Sequence, residues 1–216
     1  MKRLFGAFEV IFDVTYLGMA FLIGLQLLRT EPPGVIGAIA GSMAMLLVIG
    51  DAFHLIPRIL AIVTRKEAAF RSILGRGKQI TSITMTLFYF LLWQVGILVF
   101  PMGMQEKLGY ILYALAAIRI VLCLCPQNRW KDRYPPVSWG ILRNIPFFLM
   151  GLMVAGIFFR YRLETAGFRW MWLAILLSFL FYLPVVIGAN KNPKLGMLML
   201  PKSCMYLWML GMCLAL

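Results

Sequence analysis

The run VIGAIAGSMAMLLVIGDAFHLIPRILAIV, residues 35–63, decides the fold class. It is longer than the roughly 20 mainly apolar residues that cross a hydrocarbon core, and it lacks the alternation of a barrel strand. Such a segment spans lipid only as a helix, because an open sheet would leave backbone N–H and C=O groups unpaired there. The run also carries Asp51, His54 and Arg58. Each is costly in hydrocarbon unless it is paired or wet, so they belong on an inward face.

The same pattern extends along the chain. Apolar runs at 5–28, 35–63, 80–100, 108–126, 138–159, 168–189 and 196–216 predict an all-α bundle of seven transmembrane helices. They are separated by Glu31-Pro32-Pro33-Gly34, the basic stretch 65–78, Pro101-Met102-Gly103, and the segments 127–136, 161–167 and 190–194. Residues 1–216 read as one integral membrane domain. At 62% hydrophobic and 13% charged, the chain cannot cover a water-soluble surface. Lys2 and Arg3 ahead of an apolar stretch resemble a signal peptide, but the stretch continues to Leu28 and holds Glu9 and Asp13, which reads as a retained span. Cys123, Cys125, Cys204 and Cys213 lie in apolar segments without metal-site spacing and read as small buried hydrophobes.

A net charge of +13 would suggest nucleic acid in a soluble protein. Here the cations sit in short loops and set topology instead, so no nucleic-acid partner is expected. The amino terminus and the second, fourth and sixth loops hold Lys2, Arg3, Arg65, Lys66, Arg71, Arg76, Lys78, Arg129, Lys131, Arg133, Lys191 and Lys194, against Arg29, Lys107, Arg160, Arg162 and Arg169 on the other side. The positive-inside rule makes the first set cytoplasmic in an inner-membrane protein, with Leu216 outside. Trp130, Trp139, Trp170 and Tyr161 near span ends read as interfacial anchors. Gly75-Arg76-Gly77-Lys78 lacks the spacing of a phosphate loop and reads as a basic turn leading into the third span. A faint likeness of Asp13-Val14-Thr15-Tyr16 to Asn144-Ile145-Pro146-Phe147, and of His54-Leu55-Ile56-Pro57 to Phe181-Tyr182-Leu183-Pro184, suggests a 3+1+3 repeat.

The interior charges are the candidate site. Glu9, Asp13 and Asp51 are matched by Arg119, Arg143 and Lys202, with Arg58 free to snorkel to the interface. Glu9 and Asp13 share a helix face, as do Asp51, His54 and Arg58 at spacings of three and four. Thr81, Ser82, Thr84, Asn144, Ser203 and Tyr206 continue a polar surface. Together these predict a pocket in the cytoplasmic half of the bilayer, with Asp51, Asp13 and His54 as candidate catalytic groups. Arg119, Arg143, Asn144, Lys202, Glu9 and Tyr206 are candidate ligand-binding groups. Structural ion pairing without a ligand is the competing explanation. A single histidine and unclustered cysteines argue against a metal, and no cofactor is expected.

The stretch Ile49-Gly50-Asp51-Ala52-Phe53-His54-Leu55-Ile56-Pro57-Arg58 resembles the Gly-Asp helix of lysoplasmalogenase-like membrane proteins, in which Gly-Asp is followed by Leu-Pro. The resemblance extends loosely to the Gly-rich start of the third span and to Ser203-Cys204-Met205-Tyr206. It departs from the family in having seven spans where eight are usual, and in lacking a second acid in a late helix, where Phe179 stands after Ser178. The resemblance implies hydrolysis of the vinyl ether bond of a lysophospholipid, with Asp51 as acid or base. Asp13 would supply the second carboxyl if the first two spans pack together, and Arg119, Arg143 or Lys202 would hold the lipid phosphate. The alternative is a carrier or ligand-binding protein for a small anionic or zwitterionic solute. Membrane lipids, and a lipid or small molecule, are the expected partners.

Overall fold

The computed structural model describes residues 2–29, 34–100 and 105–215. Seven helices run through it: α1 (Lys2–Arg29), α2 (Val35–Thr64), α3 (Glu67–Val99), α4 (Gln105–Leu124), α5 (Val137–Arg160), α6 (Met171–Gly188) and α7 (Met199–Cys213). Short 3-10 turns at Pro126–Asn128, Ala166–Phe168 and Pro193–Leu198 link the later ones, and no strand occurs among the described residues. All seven helical segments are long and apolar enough to cross a membrane. The chain is therefore a multi-pass, all-α membrane protein. The breaks at Pro101-Met102-Gly103 and Glu31-Pro32-Pro33, and the terminal Leu216, lie outside the described residues.

Each helix packs on the next in sequence, and α7 closes the circuit on α1. α3 also reaches across to α5, and α2 to α7. The interior is aromatic: Phe88, Tyr89, Phe147, Phe158, Phe168, Phe179 and Tyr206 are buried, and most of their ring contacts are edge-on or tilted. Outward faces carry exposed Phe8, Ile11, Phe21, Leu22, Ile118, Val121 and Leu180, as a lipid-facing surface requires.

The third span differs from the expectation. The basic stretch 65–78 is not a loop: only Arg65, in the left-handed region at φ 58°, and Lys66 separate α2 from α3, and the remainder is helix. Gly75 and Gly77 have poor helix propensity, which is why the segment reads as a turn. Packing overrides that preference. A Cβ on Gly77 would collide with the backbone of Phe53 and His54 in α2, and one on Gly75 with the backbone of Trp130 and Lys131. Pro57 has no N–H to give the Phe53 carbonyl four residues before it, and Gly77 is the residue that lies against that carbonyl. Higher up, Gly50 faces the Thr84 side chain, and Thr81 Oγ1 donates to the Gly50 carbonyl at 2.8 Å.

Of the four cysteines, Cys123 and Cys213 are buried as expected, whereas Cys204 is exposed and Cys125, just past the end of α4 with its thiol donating to the Val121 carbonyl, is half-buried.

Candidate functional site

The acidic side is built by α1 and α2. Glu9, Asp13 and Tyr16 follow the i, i+4, i+7 spacing of one helix face, and α2 presents Arg58 and Asp51 to it seven residues apart. Arg58 Nε donates to Glu9 Oε1 at 2.7 Å, so this arginine is paired as well as half-exposed. Tyr16, fully buried, donates its hydroxyl to Asp51 Oδ2 at 2.7 Å. Asp13 lies on the same face of α1 between these two contacts. It is 4% exposed, and its Oδ2 has no hydrogen-bond partner. Asp51 as a residue is half-buried, and its carboxyl meets the enclosed Tyr16 in the interior.

His54 does not join this row. It lies beside Leu74 and Lys78 of α3, its Nδ1 lacks a hydrogen-bond partner, and Asp51 is bonded to Tyr16 instead. The face shared by Asp51 and Arg58 is the one turned to α1, and the intervening His54 is angled toward α3.

The basic side is built by α4 and α7. Arg119 is 1% exposed, with its guanidinium carbon 3.2 Å from the centre of the Phe147 ring, and neither Nε nor Nη1 has a hydrogen-bond partner. Lys202, also buried, places Nζ 4.4 Å from the Tyr206 ring and 5.1 Å from the Tyr182 ring. It is carried by α7, which packs on α1 and α2 as well as on α6. No ion pair joins Lys202 to Asp51 among the described residues.

The remaining candidates are committed to the fold. Arg143 donates to Asn128 Oδ1 at 2.8 Å and stacks on Trp130, while buried Asn128 donates to the Leu122 and Cys125 carbonyls. Trp130 Nε1 in turn donates to the Cys123 carbonyl. Together these contacts hold the α4–α5 connection in place. Asn144 donates to the Gly140 carbonyl and accepts from Tyr182, and Tyr206 sits edge-on to Phe88 beside the Tyr89–Ser178 hydrogen bond. The α3 hydroxyls do not line a pocket: Thr81, Ser82, Thr84 and Thr86 all donate to backbone carbonyls. Two concavities lie away from these charges, one on the outer flank of α1 and α2 around Gly6, Val10 and Ile62, the other around Ala38, Ser42 and Leu91.

Tyr16 was open to discovery from sequence, since it continues the Glu9, Asp13 stripe by three residues. Phe147 and Tyr182 were not, because neither has a local signal that ties it to Arg119 or Lys202.

This geometry defines a seven-helix membrane protein with acids at the α1–α2 interface and two buried cations on α4 and α7. No protein family, curated protein or solved structure is matched by the chain.

Proposed function

We propose that this protein is a hydrolase of lyso-ether phospholipids, similar in chemistry to lysoplasmalogenases, working at Asp51 from the cytoplasmic side of the inner membrane. The observation that supports this reading is the pairing of two interior carboxyls across packed helices: Asp51, oriented by Tyr16 at 2.7 Å, and Asp13 on the facing wall of α1. Vinyl ether hydrolysis needs a proton delivered to the alkene carbon and a water added at the carbon bearing oxygen. Asp13, with an uncommitted oxygen in an apolar setting, is the proton donor. Asp51 takes a proton from the attacking water, held in place by the Tyr16 hydroxyl. The hemiacetal so formed collapses to a free aldehyde and the glycerophospho-alcohol, so atoms and charge balance without a cofactor.

The purified protein would be offered lysoplasmenyl lipid and the released aldehyde measured. Asp51→Asn and Asp13→Asn should each lower kcat by about 100-fold or more, in the range that general acid–base groups supply. Turnover that persists in Asp51→Asn would discard this mechanism.

One observation favours a carrier as the second reading. Pro57, Pro146 and Pro184 lie inside α2, α5 and α6, where each weakens its helix next to the charged cluster and provides a bending point. Asp13 and Asn144 in α1 and α5, and Pro57 and Pro184 in α2 and α6, support a 3+1+3 arrangement in that case. Saturable binding of a soluble solute by folded protein that turns over no ether lipid would select it.

A further inference from the structure

We infer that Arg119 and Lys202 form an anion-recognition site in the bundle interior that takes a phosphate-type oxyanion. The site would serve a hydrolase or a carrier alike. Four charged residues, Glu9, Arg119, Arg143 and Lys202, and two neutral ones, Asn144 and Tyr206, were candidates for ligand contact, and Tyr206 is taken up by its ring contact with Phe88. Glu9 is held by Arg58, Arg143 by Asn128 and Trp130, and Asn144 by Gly140 and Tyr182. Arg119, whose Nε and Nη1 lack acceptors, and Lys202, which joins no ion pair among the described residues, are the two cations that remain.

A guanidinium buried to 1% exposure with two nitrogens lacking acceptors carries a desolvation cost that ring stacking on Phe147 offsets only in part. An acceptor-rich anion supplies what the protein does not. Lys202 adds a second positive charge nearby: Arg119 lies over the Phe147 ring and Lys202 Nζ 5.1 Å from the Tyr182 ring, and the centres of these two rings are 6.3 Å apart. Arginine presents planar donors to phosphate oxygens and lysine a compact point charge, so the pair suits a multiply charged oxyanion. That oxyanion is either a phospholipid headgroup or a free phosphate.

The test is calorimetric binding to the full chain in neutral detergent, with lysophosphatidic acid and inorganic phosphate as separate probes. At least one probe should bind once per chain, and Arg119→Gln and Lys202→Met should each weaken it by tenfold or more. The exposed Arg133→Gln should leave it within twofold. Binding of the lipid alone identifies a headgroup site and binding of phosphate alone a soluble-anion site; both support the assignment. Failure of both probes to bind wild-type protein, or binding indifferent to Arg119→Gln and Lys202→Met, would overturn it. Should either variant fail to fold, wild-type protein is photocrosslinked to lysophosphatidic acid carrying a diazirine next to the phosphate. Adducts on α4 or α7 peptides bearing Arg119 or Lys202 support the site, and adducts confined to other segments refute it.

Discussion

The hydroxyl of Tyr16 and the carboxyl of Asp51 meet in the interior, while Glu9 and Arg58 meet where both side chains are partly open, at 15% and 37% exposure. The two contacts should therefore differ in energy. In a double-mutant cycle read by thermal unfolding in detergent, Tyr16→Phe and Asp51→Asn should be coupled by about 1–3 kcal/mol, as expected for a hydrogen bond shielded from water. The Glu9→Gln and Arg58→Gln cycle should give under about 1 kcal/mol, the usual range for an ion pair near solvent. Strict additivity at Tyr16 and Asp51 would mean that their contact does not contribute to stability. The acids themselves were legible from sequence because ionisable residues inside apolar runs stand out. Their partners were not: Tyr16 and Asp51 are 35 residues apart, and Glu9 and Arg58 are 49 apart.

The α2–α3 hairpin shows how tertiary contact overrides local preference in a whole element. At a rise of about 1.5 Å per residue, the 30 residues of α2 and 33 of α3 are about 45 and 50 Å long, well beyond a hydrocarbon core of about 30 Å. The hairpin thus has length to spare for tilt or projection, and depth counted from the end of α2 overstates how far Asp51 lies inside the bilayer. Its two close approaches should respond differently to a methyl group. Gly50→Ala meets the Thr84 side chain, so Thr84→Ala should recover part of the lost stability. Gly77→Ala meets backbone and has no such remedy; it should cost about 1–3 kcal/mol or more, the usual penalty of overpacking. Unfolding midpoints of the three variants decide the matter, and a Gly77→Ala protein as stable as wild type would show that the helices are not held this closely.

At the scale of the molecule, we propose a topology in which seven crossings, an odd number, set the two ends of the chain on opposite faces. In that proposal the face with the surplus of cations, at the amino terminus and in the α2–α3, α4–α5 and α6–α7 connections, is the cytoplasmic one by the positive-inside rule. Fusions of a reporter active only outside the cytoplasm should be silent at the amino terminus and active after Leu216. The opposite pattern would turn the acids and cations of the candidate site toward the other side of the membrane.

The seven crossings, the all-α class and the inward placement of the charges follow from sequence alone, because hydrophobicity summed over about 20 residues is a local and additive property. Tertiary structure alone decided the rest. It made a helix of 67–78 by packing Gly75 and Gly77 against backbone, gave Asp51 to Tyr16 and not to His54, held Arg143 at the Asn128 connection, and left Arg119 stacked on Phe147 with Nε and Nη1 lacking acceptors. Each of those outcomes rests on which helices become neighbours around the bundle. Apolar segments of similar length and hydropathy do not encode that order locally, since it comes from the fit of small, aromatic and charged residues across their faces.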